Sequence, residues 1–116
     1  MRREVSWGLA ALEEFGKACD YWAKKAPVRG VDLLESVDAV VLSLQQFPLQ
    51  GLEVETGLPY SVRRFRVRGF SFVLSYTVFP SVDFQTGEAL DVIYVLACRH
   101  ERQAEPNWQS RDPFRL

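Results

Sequence analysis

Histidine occurs once in this chain, at His100, and cysteine only twice, at Cys19 and Cys98. One imidazole and two distant thiols match no recognised metal-ligand spacing, and without a CxxC pair there is no redox motif. No metal and no cofactor are expected. Glycines such as Gly57, Gly69 and Gly87 stand singly in turn-like contexts, so no glycine-rich run precedes a helix to cradle a phosphate. No serine sits in a GxSxG turn, which leaves a Ser-His-Asp triad without its usual support. No apolar run approaches the roughly 20 residues of a spanning helix, and the opening MRREVSW lacks the apolar stretch of a secretory leader. A cytoplasmic protein with no membrane partner is expected. Lysine stops at Lys25, so three of the fourteen basic residues are lysines and eleven are arginines.

With 116 residues, 47% hydrophobic and 25% charged, the sequence fits one globular domain over 1–116 that buries a real core. Cys19 and Cys98 fall within apolar patterns, which favours two reduced, buried thiols over a disulfide. The formal net charge is −1, but the charge is uneven. Residues 1–60 are acidic in balance and 61–116 basic, with no acid between positions 61 and 82.

That acid-free stretch reads SVRRFRVRGFSFVLSYTV from Ser61 to Val78. Phe65 and Val67 share one parity, and Arg64, Arg66 and Arg68 the other, the alternation of a half-buried strand. One face seeks a core while the other displays guanidiniums. These bind carboxylate or phosphate through a planar fork, so the face reads equally as a solvated strand surface and as an anion-binding surface.

A short strand is expected around Glu4–Trp7. Leu9, Leu12, Phe15, Cys19, Trp22 and Ala26 then recur at three- and four-residue spacing, as on one face of a helix. Past Pro27, the set Leu33, Leu34, Val37, Val40, Val41, Leu44 and Phe47 marks a second amphipathic helix, which Pro48 stops. A short link at Ala26–Gly30 makes the pair an antiparallel hairpin. Gly51–Pro59 reads as a surface loop. Three strands follow, at 61–68, 70–79 and about 89–98, the first two joined by a tight turn at Arg68-Gly69 and the last two by PSVDFQTGE. The near-continuous apolar run of the last strand predicts a central position in the sheet. This order predicts an α+β fold, with two helices packed on one face of a curved, mainly antiparallel sheet of three to four strands.

The ordered set of helix, helix, FPLQG at Phe47–Gly51, VRRFRVRGFSFVLSYTV, and LDVIYVLACRHER with Trp108 downstream resembles the RelE/ParE superfamily of toxins from bacterial type II toxin–antitoxin modules. The match spans nearly the whole chain. It implies a toxin that inhibits growth when released from a cognate antitoxin, whose own segment folds on binding. Two modes occur on this fold: ParE-like poisoning of DNA gyrase without catalysis, and RelE-like cleavage of mRNA on the ribosome. A third reading is a degenerate, non-toxic member that only binds its antitoxin. Several RelE-like enzymes resemble each other in carrying lysine or arginine on the strand entering the cleft, where this chain reads Gly69-Phe70-Ser71-Phe72. That difference tilts the expectation toward the gyrase-directed mode.

If the chain is RelE-like, His100 with Arg99 and Arg102 forms the candidate acid/base and phosphate clamp, and Tyr76 or Glu101 supplies the second proton transfer. The structural alternative is that His100 caps the strand end or packs on Trp108. Arg64, Arg66, Arg68 and Trp108 are the candidate antitoxin- or target-binding residues, the arginines for acidic groups and the indole for stacking or for covering the sheet edge. The tail RDPFRL, with Phe114 and Leu116, is expected either to dock on the body or to remain free.

Overall fold

The computed structural model describes residues 2–115; Leu116, named above in the tail, lies outside them. The order is β1 (Arg2–Trp7), α1 (Leu9–Lys25), α2 (Pro27–Gln46), β2 (Leu52–Val54), β3 (Val62–Val67), β4 (Phe72–Val82), β5 (Ala89–His100) and a 3-10 turn (Trp108–Arg111). The fold is α+β, as the sequence predicts, but the sheet has five strands rather than three to four, in the order β1-β5-β4-β3-β2. The additional strand is β2, which lies inside the segment expected to be a loop and pairs antiparallel with β3. At three residues, it carries too little alternation to be told from a turn. β1 runs parallel to β5, and the other neighbours are antiparallel. β5 is interior, between β1 and β4, in keeping with its apolar run.

The helices meet more tightly than the predicted five-residue link. Ala26 alone separates them, its N–H donating to the Trp22 carbonyl as α1 ends, and Pro27 opens α2 at its first turn. Proline is well suited there, because its fixed φ is helical and its missing N–H is one that the first turn would leave unpaired. A Cβ on Gly30 would lie 3.0 Å from the Ala23 Cβ, so the absent side chain lets the helices approach closely at this end.

The buried face of α2 is Leu33, Val37, Val40 and Leu44, whereas Leu34 and Phe47 are exposed. On α1 the buried residues are Ala11 and Ala18, flanked by half-buried Phe15, Cys19 and Trp22, while Leu9 and Leu12 face outward. Periodicity therefore located the helices but rotated the expected face of α1. Small alanines do the inward packing, and small residues carry the weakest hydrophobic signal. Against this layer the sheet presents Phe65, Val67, Leu74, Tyr76, Ile93, Val95 and Cys98. Both thiols are unpaired; Cys98 is buried and Cys19 half-buried. Burial, followed by the nearby Glu14 carboxylate, pushes the Cys98 thiol up to about 12.

The β3–β4 connection is a four-residue turn, Arg68–Ser71, instead of a two-residue one. Gly69 and Ser71 both take left-handed backbone conformations, with φ of 87° and 55°. The extra length lets Phe70 fold inward onto Trp22, with ring centroids 5.6 Å apart. The Arg29 guanidinium lies over both rings, 4.1 Å from the Phe70 centroid, and donates to the Gly69 carbonyl at 3.2 Å. A cation over two aromatic faces thus fastens the turn to the helix junction.

The sheet's other face carries a second, smaller core of Val62, Leu96, Ala97 and Trp108, with Val54, Leu58, Tyr60 and Tyr94 around it. The chain after β5 folds back across this face. Trp108 covers the face itself, not the sheet edge, and Phe114 docks against Phe79 and Tyr60. The Tyr60 hydroxyl donates to Asp112 at 2.8 Å. Among the described residues, no helix is long and apolar enough to cross a membrane.

Gly51, the last residue of FPLQG, meets the sheet at Tyr76: its N–H donates to the Tyr76 hydroxyl at 3.0 Å. A Cβ at this position would lie 2.7 Å from that oxygen and 3.0 Å from the Arg64 carbonyl. Tyr76 is fully buried and cannot swing clear. Gly51→Ala is therefore expected to destabilise the fold by about 2 kcal/mol, a typical overpacking cost, read as a lowered urea midpoint with an unchanged slope.

Candidate functional site

Arg64 and Arg66 project from the same face of β3, opposite the helices, because they alternate with Phe65 and Val67 of the main core. Arg66 pairs through Val73 of β4 with Arg99 of β5, so the three strands align these guanidiniums in one layer. Arg99 reaches this face through an irregularity in β5. Ser75 pairs with Ala97 but the next residue, Tyr76, pairs with Val95, so Leu96 is an inserted residue, a β-bulge. Upstream of it, Ile93 and Val95 face the helices; downstream, Cys98 does, and Arg99 turns to the arginine side.

The expected unopposed positive surface is largely compensated. Arg64 pairs with Glu105 at 2.6 Å, Arg66 with Glu101 at 2.9 Å and Arg99 with Glu14 at 2.7 Å. These acids lie 41, 35 and 85 residues away along the chain, beyond the reach of any local charge pattern. Arg68 and Arg102 have no carboxylate within ion-pair distance among the described residues. Arg63, of the opposite parity, donates to the carbonyls of Leu49 and Gly51 and ties the post-helix loop to β3.

Glu14 is the most connected of these acids. β1 accompanies β5 only as far as Val95, leaving the outer edge of the last β5 residues open. Glu14 covers it: one oxygen accepts from the Cys98 N–H at 3.2 Å and from Arg111 at 2.6 Å, and the other from Arg99 at 2.7 Å and Arg111 at 3.1 Å. Arg111 also donates to the Leu96 carbonyl, satisfying the same edge. Burial alone would push the Glu14 carboxyl up; Arg111, the Cys98 amide and Arg99 outweigh it and hold the group below its ordinary range. Local reasoning passed over Glu14, although Ala11, Glu14 and Ala18 share one helical face, and a carboxylate on an apolar stripe marks a buried partner.

Arg64, Val73, Ser75, Arg99, His100, Glu101, Gln103, Ala104, Glu105, Pro106 and Trp108 line a cavity of about 20 Å³, room for one water-sized guest. His100 serves the turn after β5. Its N–H donates to the Gln103 side chain at 2.8 Å, its Nδ1 accepts from the Arg102 N–H at 3.1 Å, and its ring packs edge-on against Phe72. This is the strand-capping alternative rather than contact with Trp108. The Trp108 indole instead donates to Glu105 at 3.1 Å. Tyr76 lies on the opposite side of the sheet, its hydroxyl engaged by Gly51. Of the four candidate catalytic residues, then, Arg99 and His100 share the cavity, Tyr76 is walled off in the core, and Arg102 is outside it; Glu101, the alternative to Tyr76, also lines the cavity and is paired with Arg66. Of the candidate binding residues, Arg64, Arg66 and Trp108 share one face, and Arg68 sits in the β3–β4 turn. No group of three His, Cys, Asp or Glu side chains among the described residues is placed to hold a metal ion.

No protein-family model matches the chain, and a search of curated proteins finds no match either.

Replacing Glu14 by Gln strands two mostly buried guanidiniums, so Glu14→Gln should cost about 2–3 kcal/mol at neutral pH. Because the folded-state carboxyl is held low, its contribution is complete above the ordinary carboxylate range and is lost as pH falls through the lowered value. Urea unfolding of wild type and variant should therefore differ most near pH 7 and converge as the pH is lowered past 4.

Proposed function

We propose that this chain is the toxin component of a type II toxin–antitoxin module and acts by binding, in the ParE-like, gyrase-directed mode. Support for the family comes from the sequence resemblance and from an α+β arrangement of the kind it implies. One observation favours binding over catalysis: an arginine-bearing sheet face is present, yet the acid–base candidates are already engaged, with Tyr76 in the core, His100 committed to its turn and Glu101 paired with Arg66. A general acid and base must reach the reacting atoms together, whereas a docking face needs only complementary charge and shape. The cognate antitoxin's acidic segment would occupy the arginine face and compete with the target for it.

The RelE-like alternative draws on a different observation, that Arg64, Arg99, His100 and Glu101 border one small cavity, which brings two guanidiniums beside an imidazole and a carboxylate. Extensive internal pairing of the arginines favours the third reading, a non-toxic binder of antitoxin.

Controlled expression with pulse labelling separates the three. The gyrase-directed mode should stop DNA synthesis first, with filamentous cells and induced DNA-damage signalling. Early arrest of protein synthesis would overturn it in favour of the ribonuclease, and undisturbed growth would favour the non-toxic binder. In the binding mode His100→Ala keeps its toxicity, whereas loss of a general acid or base should cost a ribonuclease about 100-fold or more in rate.

A further inference from the structure

The segment from Glu101 to Arg111 lies across the arginine face as a strap, and its two carboxylates occupy Arg64 and Arg66, the two β3 guanidiniums on that face. They do so incompletely. Glu105 meets Arg64 through Nη2 alone, and the buried Nε–H of Arg64 finds no acceptor among the described residues. Glu101 likewise meets Arg66 through Nη2 alone, with its oxygens at 3.0 and 2.9 Å from that one nitrogen. The contrast within the molecule is Glu14 and Arg111, where two carboxylate oxygens meet both Nη atoms. Paired fork-to-carboxylate bonds are the stronger arrangement, so the strap leaves binding capacity of the face unspent.

We propose that Glu101 and Glu105 are built-in competitors for an acidic polypeptide segment, and that a partner binds by exchanging its own carboxylates for theirs on Arg64 and Arg66. Three features fit this exchange. The ion pairs are partly exposed, Arg66 being 66% accessible and Glu105 57%, so they open at little cost. The strap is also anchored by Trp108 packed on the small core and by Arg111 on Glu14, so the carboxylates can leave Arg64 and Arg66 while the segment stays attached. Glu105 can do so through the oxygen facing Arg64 while its other oxygen keeps the Trp108 indole. Arg68 and Arg102, without carboxylate partners among the described residues, extend the positive surface for a ligand longer than two residues. A carboxylate ligand is favoured over a phosphodiester because carboxylates already fit these positions and the chain as a whole is not basic, at net −1. The inference rests on reading the arginine face as a partner surface.

The test uses the full chain and fluorescently labelled poly-L-glutamate at low salt, with a single-stranded oligonucleotide of equal charge as the comparison. The double variant Glu101→Gln/Glu105→Gln removes two competing charges and should bind poly-glutamate about tenfold more tightly than wild type. Adding Arg64→Lys, which keeps the charge and loses the fork, should reverse most of that gain. Thermal melting of each variant separates loss of binding from loss of fold; Glu105→Gln alone, expected to give a smaller gain, serves if the double variant is unstable. Equal binding by wild type and the double variant would overturn the inference and leave the partner-surface reading standing. Binding by neither would overturn both. Preference for the oligonucleotide, or full retention of affinity with Arg64→Lys, would overturn the carboxylate assignment.

Discussion

Where β1 stops at Trp7 and the chain turns into α1, the last third of β5 is left with an open edge beside half-buried arginines. The Glu14 carboxylate resolves both problems at once, capping the Cys98 N–H and pairing Arg99 and Arg111. An open edge and two desolvated cations would each be unfavourable alone; together they make a site in which an anion from the helix is strongly held. Three otherwise independent parts, helix layer, sheet and C-terminal strap, are thereby joined at one residue. The junction holds Arg99, which the β-bulge has placed on the arginine face, and Arg111, three residues beyond Trp108.

The two faces of the sheet are built on different principles. The helix side is a conventional apolar core, into which the Tyr76 hydroxyl admits the Gly51 N–H. The opposite side is divided along the strands: aromatic and aliphatic residues cluster around Trp108 and Phe114, and ion pairs take over toward the β3–β4 turn. A backbone segment must cross this face to supply both the indole and the acids. Charge and burial on the functional face are therefore set by the same stretch of chain.

Much of this was legible in the sequence. Helical periodicity located α1 and α2, alternation located β3 and its two faces, and FPLQG and Tyr76, singled out separately, turn out to touch. What was not legible depends on distance or on weak signals. β2 is too short to alternate, the packing of α1 relies on alanines, and the acids that meet Arg64, Arg66 and Arg99 come from remote segments. A run of residues without acids describes a strand, not the surface that forms once the rest of the chain has folded over it. Tyr76 illustrates the same limit: its parity places it on the core side, but only the approach of Gly51 shows that its hydroxyl is already engaged.

The inserted Leu96 makes β5 two half-strands of opposite phase, because Leu96 and Ala97 in succession both face away from the helices. Removing Leu96 would leave unbroken alternation with every downstream role intact: the Cys98 thiol would stay beneath the helices and the Arg99 guanidinium in the charged layer. The same deletion further along, at Cys98 with the bulge kept, has no spare residue to absorb it and would turn Arg99 beneath the helices, since a one-residue slip moves a strand's side chains to the opposite face. Descendants of this chain can lose a residue at the bulge far more freely than further along the strand.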